Sequence, residues 1–112
     1  MLRVLALIVA AVVVIGRPSP VRAQQAVDIS ITVKDNKFDP AEVQAPADTP
    51  IRFKIKNLDP KPMEFESKTL KFEKIVTGGS EAIVNVRPQK PGRYEFYDDF
   101  HEETTRGALI VK

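Results

Sequence analysis

Apolar and polar residues alternate in short runs along most of this chain, and Pro, Gly and Asn residues punctuate the runs. Residues 27–33 alternate without error, with Val27, Ile29, Ile31 and Val33 set against Asp28, Ser30 and Thr32. Residues 51–56 repeat the pattern with Arg52, Lys54 and Lys56 on the polar side. Runs at 82–86, 93–97 and 108–111 follow, while 70–73 is weaker and fits either a strand or one helical turn. Strand side chains point alternately to opposite faces, so each run offers one face to a core and the other to water. No segment carries apolar residues at the spacing of an amphipathic helix. Turn residues at Asn36, Asp39-Pro40, Pro46, 57–62, 78–80 and 88–92 recur at roughly 8–12-residue intervals. The pattern predicts an all-β protein: an antiparallel β-sandwich of about seven or eight short strands.

Ahead of that domain the pattern changes. Arg3 precedes an unbroken apolar run over 4–15, which Gly16, Pro18 and Pro20 end. Val21 and Ala23 then put small residues at the two positions that govern signal cleavage. This predicts a secretory signal peptide over 1–23, a mature domain over 24–112 and a periplasmic location. The alternative is a retained membrane anchor, but a span needs roughly 20 apolar residues and this run is shorter. The leader holds Arg3, Arg17 and Arg22 and no acid. Taking those three from the 17 basic residues leaves 14 against 15 acidic ones, a net charge of −1. The basic balance of the whole chain thus belongs to the leader and argues for no nucleic-acid partner. The absence of cysteine excludes disulfides, thiolate metal sites and thiol catalysis. The core must hold by apolar burial, or with help from a bound metal.

Two segments depart from this plain background: Asp59 to Glu66, and Tyr97 to Glu103, which contains the single histidine. If Tyr94 and Phe96 face the core, alternation turns Asp98 inward as well. A carboxylate pointing into a sandwich is costly unless hydrogen-bonded, paired or metal-bound. Asp98 and His101 therefore fit either of two roles. One is a hydrogen bond that ties off a loop; the other is a divalent-metal site of carboxylate and imidazole donors. Met63 is a core filler or a thioether donor. Glu64 and Glu66, on the opposite face of the same strand, form a solvated surface or reach one cation together. Glu102 is a further candidate. No serine stands beside His101 in a nucleophile context, so hydrolase chemistry has no support.

The stretch Pro91-Gly92-Arg93-Tyr94-Glu95-Phe96-Tyr97-Asp98-Asp99-Phe100-His101, with the closing strand from Gly107 to Val111, resembles the C-terminal pattern of the cupredoxin family. Phe38-Asp39-Pro40 and the turn from Asn57 to Pro62 strengthen the likeness. Asp98 stands at the cysteine position of the pattern, His101 at its histidine, Met63 at the upstream histidine, and Thr104 or Thr105 near the axial methionine. The resemblance implies a Greek-key sandwich, and the missing thiolate speaks against a blue copper carrier. Met63-Glu64-Phe65-Glu66 and Tyr97-Asp98-Asp99-Phe100-His101 are similar to a cysteine-free subgroup, the EfeO-type cupredoxin domain of bacterial periplasmic iron-uptake systems. That resemblance implies a metal-binding protein for iron or copper, acting with a membrane iron permease or another periplasmic component. It leaves open an assisting role in Fe(II) oxidation, a copper carrier, and a metal-free interaction module that docks a transporter.

Overall fold

The structure, a computed structural model, describes residues 9–17 and 25–112. The expected cleavage after Ala23 lies outside the described residues. Residues 9–17 form no regular structure, and Val9 and Val12 to Ile15 are exposed. Among the described residues no helix is long and apolar enough to cross a membrane.

The alternating runs become strands. They are β1 (Val27–Lys34), β2 (Lys37–Asp39), β3 (Glu42–Ala45), β4 (Ile51–Asn57), β5 (Met63–Ser67), β6 (Phe72–Val76), β7 (Glu81–Val86), β8 (Gly92–Asp98) and β9 (Arg106–Val111). One turn of 3-10 helix, Asp99–His101, separates β8 from β9. The strands form a four-stranded sheet in the order β2-β1-β4-β7 and a five-stranded sheet in the order β3-β9-β8-β5-β6. An all-β sandwich is thus what the chain forms, with nine strands among the described residues. The pairing is mixed rather than wholly antiparallel: β1 runs parallel to β4, and β3 runs parallel to β9. The reason lies in the connections. Parallel neighbours need a crossover, and β1 reaches β4 only after the chain has entered the other sheet as β3. The weak run at 70–73 divides. Residues 68–71 make a turn, with Lys71 in the left-handed region at φ 60°, and β6 starts at Phe72.

The core lies between the sheets and is centred on aromatic rings. Phe53, Phe65 and Phe96 are wholly buried, with ring centroids 5.3 to 5.9 Å apart and edge-on geometry, and Phe38 and Phe72 pack around them. Such edge-to-face contacts add to the gain from burying each ring. Gly107 is required here, because a Cβ would run into the Ala41 carbonyl and the Phe96 ring. That close approach lets β9 pair with β3 while Phe96 keeps its place on β8.

Candidate metal centre

Three connections meet at one end of the sandwich and are knitted by side chains. Asp35 and Asn36, at φ 51° and 58°, make the tight β1–β2 turn. The Asp59 carboxylate accepts from both of their amides, at 2.7 and 3.0 Å, and these bonds hold its carboxyl below the usual range. Asn57 is fully buried. Its Nδ2 donates to the carbonyls of Lys61 (2.7 Å) and Val76 (3.1 Å), and its Oδ1 accepts from the Asp59 amide. The buried Thr105 hydroxyl donates to the Asn36 carbonyl. The loop after β8 is closed by its own backbone, with the amides of Thr104 and Thr105 donating to the His101 carbonyl.

Asp98 ends β8 facing inward, 1% exposed, as its parity with Phe96 requires. One carboxylate oxygen accepts from the amides of Glu64 and Phe100, each at 3.0 Å. The other lies 2.8 Å from His101 Nδ1. An ionised carboxylate only accepts, so Nδ1 carries the proton and donates. Nε2 is then the donor atom that the imidazole keeps for a metal. His101 retains 28% side-chain exposure. Asp98 thus arrives with three donors on its oxygens, and the pair as folded is a hydrogen bond that orients the ring. Met63, 2% exposed, shares the inward face of β5 with Phe65, the residue opposite Asp98. It packs in the core cluster.

A second group of donors sits on the outer face of the five-stranded sheet. Glu64 and Glu66 are half-buried there, and Asp99 is exposed in the 3-10 turn. Ligand atoms of these three carboxylates all lie within 4.8 Å of one another. Glu73 faces Glu66 across the β5–β6 pair. Desolvation raises the carboxyl of Glu64 above its usual range, and the charges of Glu73, Asp99 and Asp98 add to it. Glu66 is raised likewise by desolvation and then by Asp99, Glu73 and Glu64, with Lys68 opposing. Crowded carboxylates of this kind bind hard cations through oxygen. Glu102 stands apart, paired with Arg106 at 3.0 Å on the surface.

Of the residues singled out in the sequence, the structure joins Asp98 to His101 and Glu64 to Glu66, sets Met63 in the core and pairs Glu102 with an arginine. It adds two residues that sequence reasoning passed over. Asp99 joins the outer carboxylates because the chain turns straight after Asp98. Tyr97 shares their face, since it is the register partner of Glu66 across the β5–β8 pair. Burial pushes its phenol up, as do the charges of Glu66, Glu102 and Asp99, with Arg106 opposing. Alternation sets Tyr97 opposite Phe96 on β8, but no local pattern displays its neighbours on β5.

The chain matches the model of the cupredoxin-like domain over residues 4–111. An uncharacterised protein of Rickettsia prowazekii (strain Madrid E) is 44% identical over 84 residues, which are 75% of this chain and 67% of that protein. Among solved structures, the metal-binding domain of the Cu(I)-exporting P-type ATPase CopA from Streptococcus pneumoniae D39, with Cu(I), aligns at a TM-score of 0.69 and 20% identity. The alignment covers 76% of this chain and 84% of that one. Auracyanin A, a blue copper protein from Chloroflexus aurantiacus, aligns at 0.67 and 15% identity over 79% of this chain and 100% of its own. The purple cupredoxin of Nitrosopumilus maritimus aligns at 0.57 and 19% identity over 74% and 98%. At these identities the likeness to the solved structures is one of fold.

Proposed function

Since this chain belongs to the cupredoxin-like domain family, we propose that it is a periplasmic metal-binding protein of an iron-uptake system, taking iron at Glu64, Glu66 and Asp99. The observation that carries this is the donor set: three carboxylates with ligand atoms within 4.8 Å, in a chain without cysteine. Blue-copper chemistry needs a thiolate that the chain lacks, whereas oxygen donors suit harder cations. The raised carboxyls of Glu64 and Glu66 add support. Desolvation first, and then the neighbouring like charges, disfavour their ionised forms, and a bound cation relieves that cost. Anionic oxygens also stabilise Fe(III) over Fe(II), so the bound ion gives an electron to dioxygen more readily. The apolar run over 4–15 is the reason for placing the domain outside the cytoplasm, where it would pass iron to a membrane permease.

A copper carrier is the second reading, and one geometric fact favours it. The Asp98 bond leaves Nε2 as the metal donor of a partly exposed imidazole. Calorimetric titration with Fe(II), Fe(III), Cu(I) and Cu(II) separates the two readings. Iron binding that is lost in Glu64→Gln/Glu66→Gln and kept in Met63→Leu supports the iron site. Copper binding alone, abolished by Met63→Leu or His101→Ala, supports the carrier. Binding of no metal leaves a docking module. Oxygen uptake on adding Fe(II) measures the oxidation.

A further inference from the structure

Tyr97 breaks the rule of its own strand. It lies on the outer face of β8, yet it is only 5% exposed. Its hydroxyl is the one side-chain polar atom found buried without a hydrogen-bond partner among the described residues. Buried hydroxyls nearly always find partners, because an unpaired one forfeits its hydration for nothing. Tyr94, three residues earlier, shows the ordinary solution: its hydroxyl donates to the Lys90 carbonyl at 2.7 Å.

Register sets the neighbours of Tyr97 on the outer face. Glu66 on β5 and Arg106 on β9 are its register partners on either side. The Arg106 guanidinium lies 5.6 Å from the ring centroid, covering the ring on the β9 side. The carboxylates that act on its hydroxyl are Glu66, Glu102 and Asp99, in that order. Glu66 and Asp99 belong to the acidic trio, while Glu102 is already paired with Arg106 at 3.0 Å. The orphan hydroxyl and the trio are separate features on the same face of the same two strands.

Resting on the iron-binding reading above, we propose that the Tyr97 hydroxyl is the fourth oxygen donor of the Glu64–Glu66–Asp99 cluster, and that it suits the site to a trivalent cation, Fe(III). Three carboxylates and a phenolate over-neutralise a divalent ion and match a trivalent one more closely. A neutral phenol is a weak ligand. Metal binding therefore releases its proton to solvent, as it does from other ionisable ligands, and a strongly polarising ion drives that loss where Ca(II) or Mg(II) does not.

The test is optical. Ferric nitrilotriacetate is added to the purified full chain, and bound iron and visible absorption are followed together. A phenolate-to-Fe(III) charge-transfer band is expected, with tyrosine ring modes enhanced in the resonance Raman spectrum. Both are lost in Tyr97→Phe and kept in Tyr94→Phe. Tyr97→Phe removes only an unpartnered oxygen, so it keeps its fold, and the wild-type Raman spectrum needs no variant at all. Iron bound without the band, or a band that survives Tyr97→Phe, overturns the tyrosine assignment while the carboxylate site stands. Failure to bind Fe(III) overturns both.

Discussion

Asp98 shows what a single residue must satisfy in this protein. Its buried carboxylate accepts from two backbone amides and from His101, which links β5, β8 and the loop between β8 and β9. Removing a buried acceptor strands each of its donors, at about 1–3 kcal/mol apiece. Asp98→Ala is therefore expected to cost about 3 kcal/mol or more in urea denaturation. Asp98→Asn keeps an oxygen for the two amides and turns an N–H toward the ring. His101 then has to accept at Nδ1 and carry its proton on Nε2, at a cost nearer 1 kcal/mol. Nitrogen NMR reads that tautomer directly; an unchanged Nδ1–H signal would break the account. The inward turn of Asp98 was legible in the sequence, because alternation from Tyr94 and Phe96 dictates it. Its occupation was not, since the amide of Glu64 comes from a strand 34 residues away in sequence.

Strands decide which acids become neighbours. Glu64 and Glu66 share a face through the two-residue period of β5, which the sequence displays. Their meeting with Asp99, Tyr97 and Glu73 needs β8 on one side and β6 on the other, and no local pattern displays that. The crowding has a consequence for stability. A carboxyl raised above its ordinary value of 4.5 binds its proton more tightly when folded. Its contribution is therefore whole below the ordinary Glu range and is lost as pH rises through the raised one. Glu66→Gln removes that loss. The metal-free variant should melt above wild type at pH 7 and lose the advantage at pH 3.5, measured by thermal unfolding at both. A destabilised variant at pH 7 would show that neither desolvation nor repulsion penalises the ionised Glu66. Asp28 works in the opposite sense. Its hydrogen bond with Arg52 holds it at about 2, so its support, modest at an exposed site, persists above the ordinary Asp value and fades only as pH falls toward 2.

At the scale of the whole molecule, five longer strands (β1, β4, β7, β8 and β9) were legible: β1 and β4 alternate cleanly, and β7, β8 and β9 are short apolar runs bounded by turn residues. The short β2 and β3 were not, being three and four residues long on either side of Asp39-Pro40. The sheet pairing, with its two parallel neighbours, comes from crossovers between sheets. The phenylalanine cluster is the mechanical basis of the metal end, since Phe65 and Phe96 lie on the two strands that carry the acids and Asp98. Phe96→Ala should cost about 3–5 kcal/mol and depress metal affinity along with stability; affinity left untouched would separate the core from the site. The most direct test of the account is a crystal of the protein soaked in Fe(III), with anomalous differences collected on both sides of the iron edge. One peak is predicted on the outer face of the five-stranded sheet, bounded by Glu64, Glu66 and Asp99 and next to Tyr97. A peak at His101 and Met63 with none at the carboxylates would contradict it.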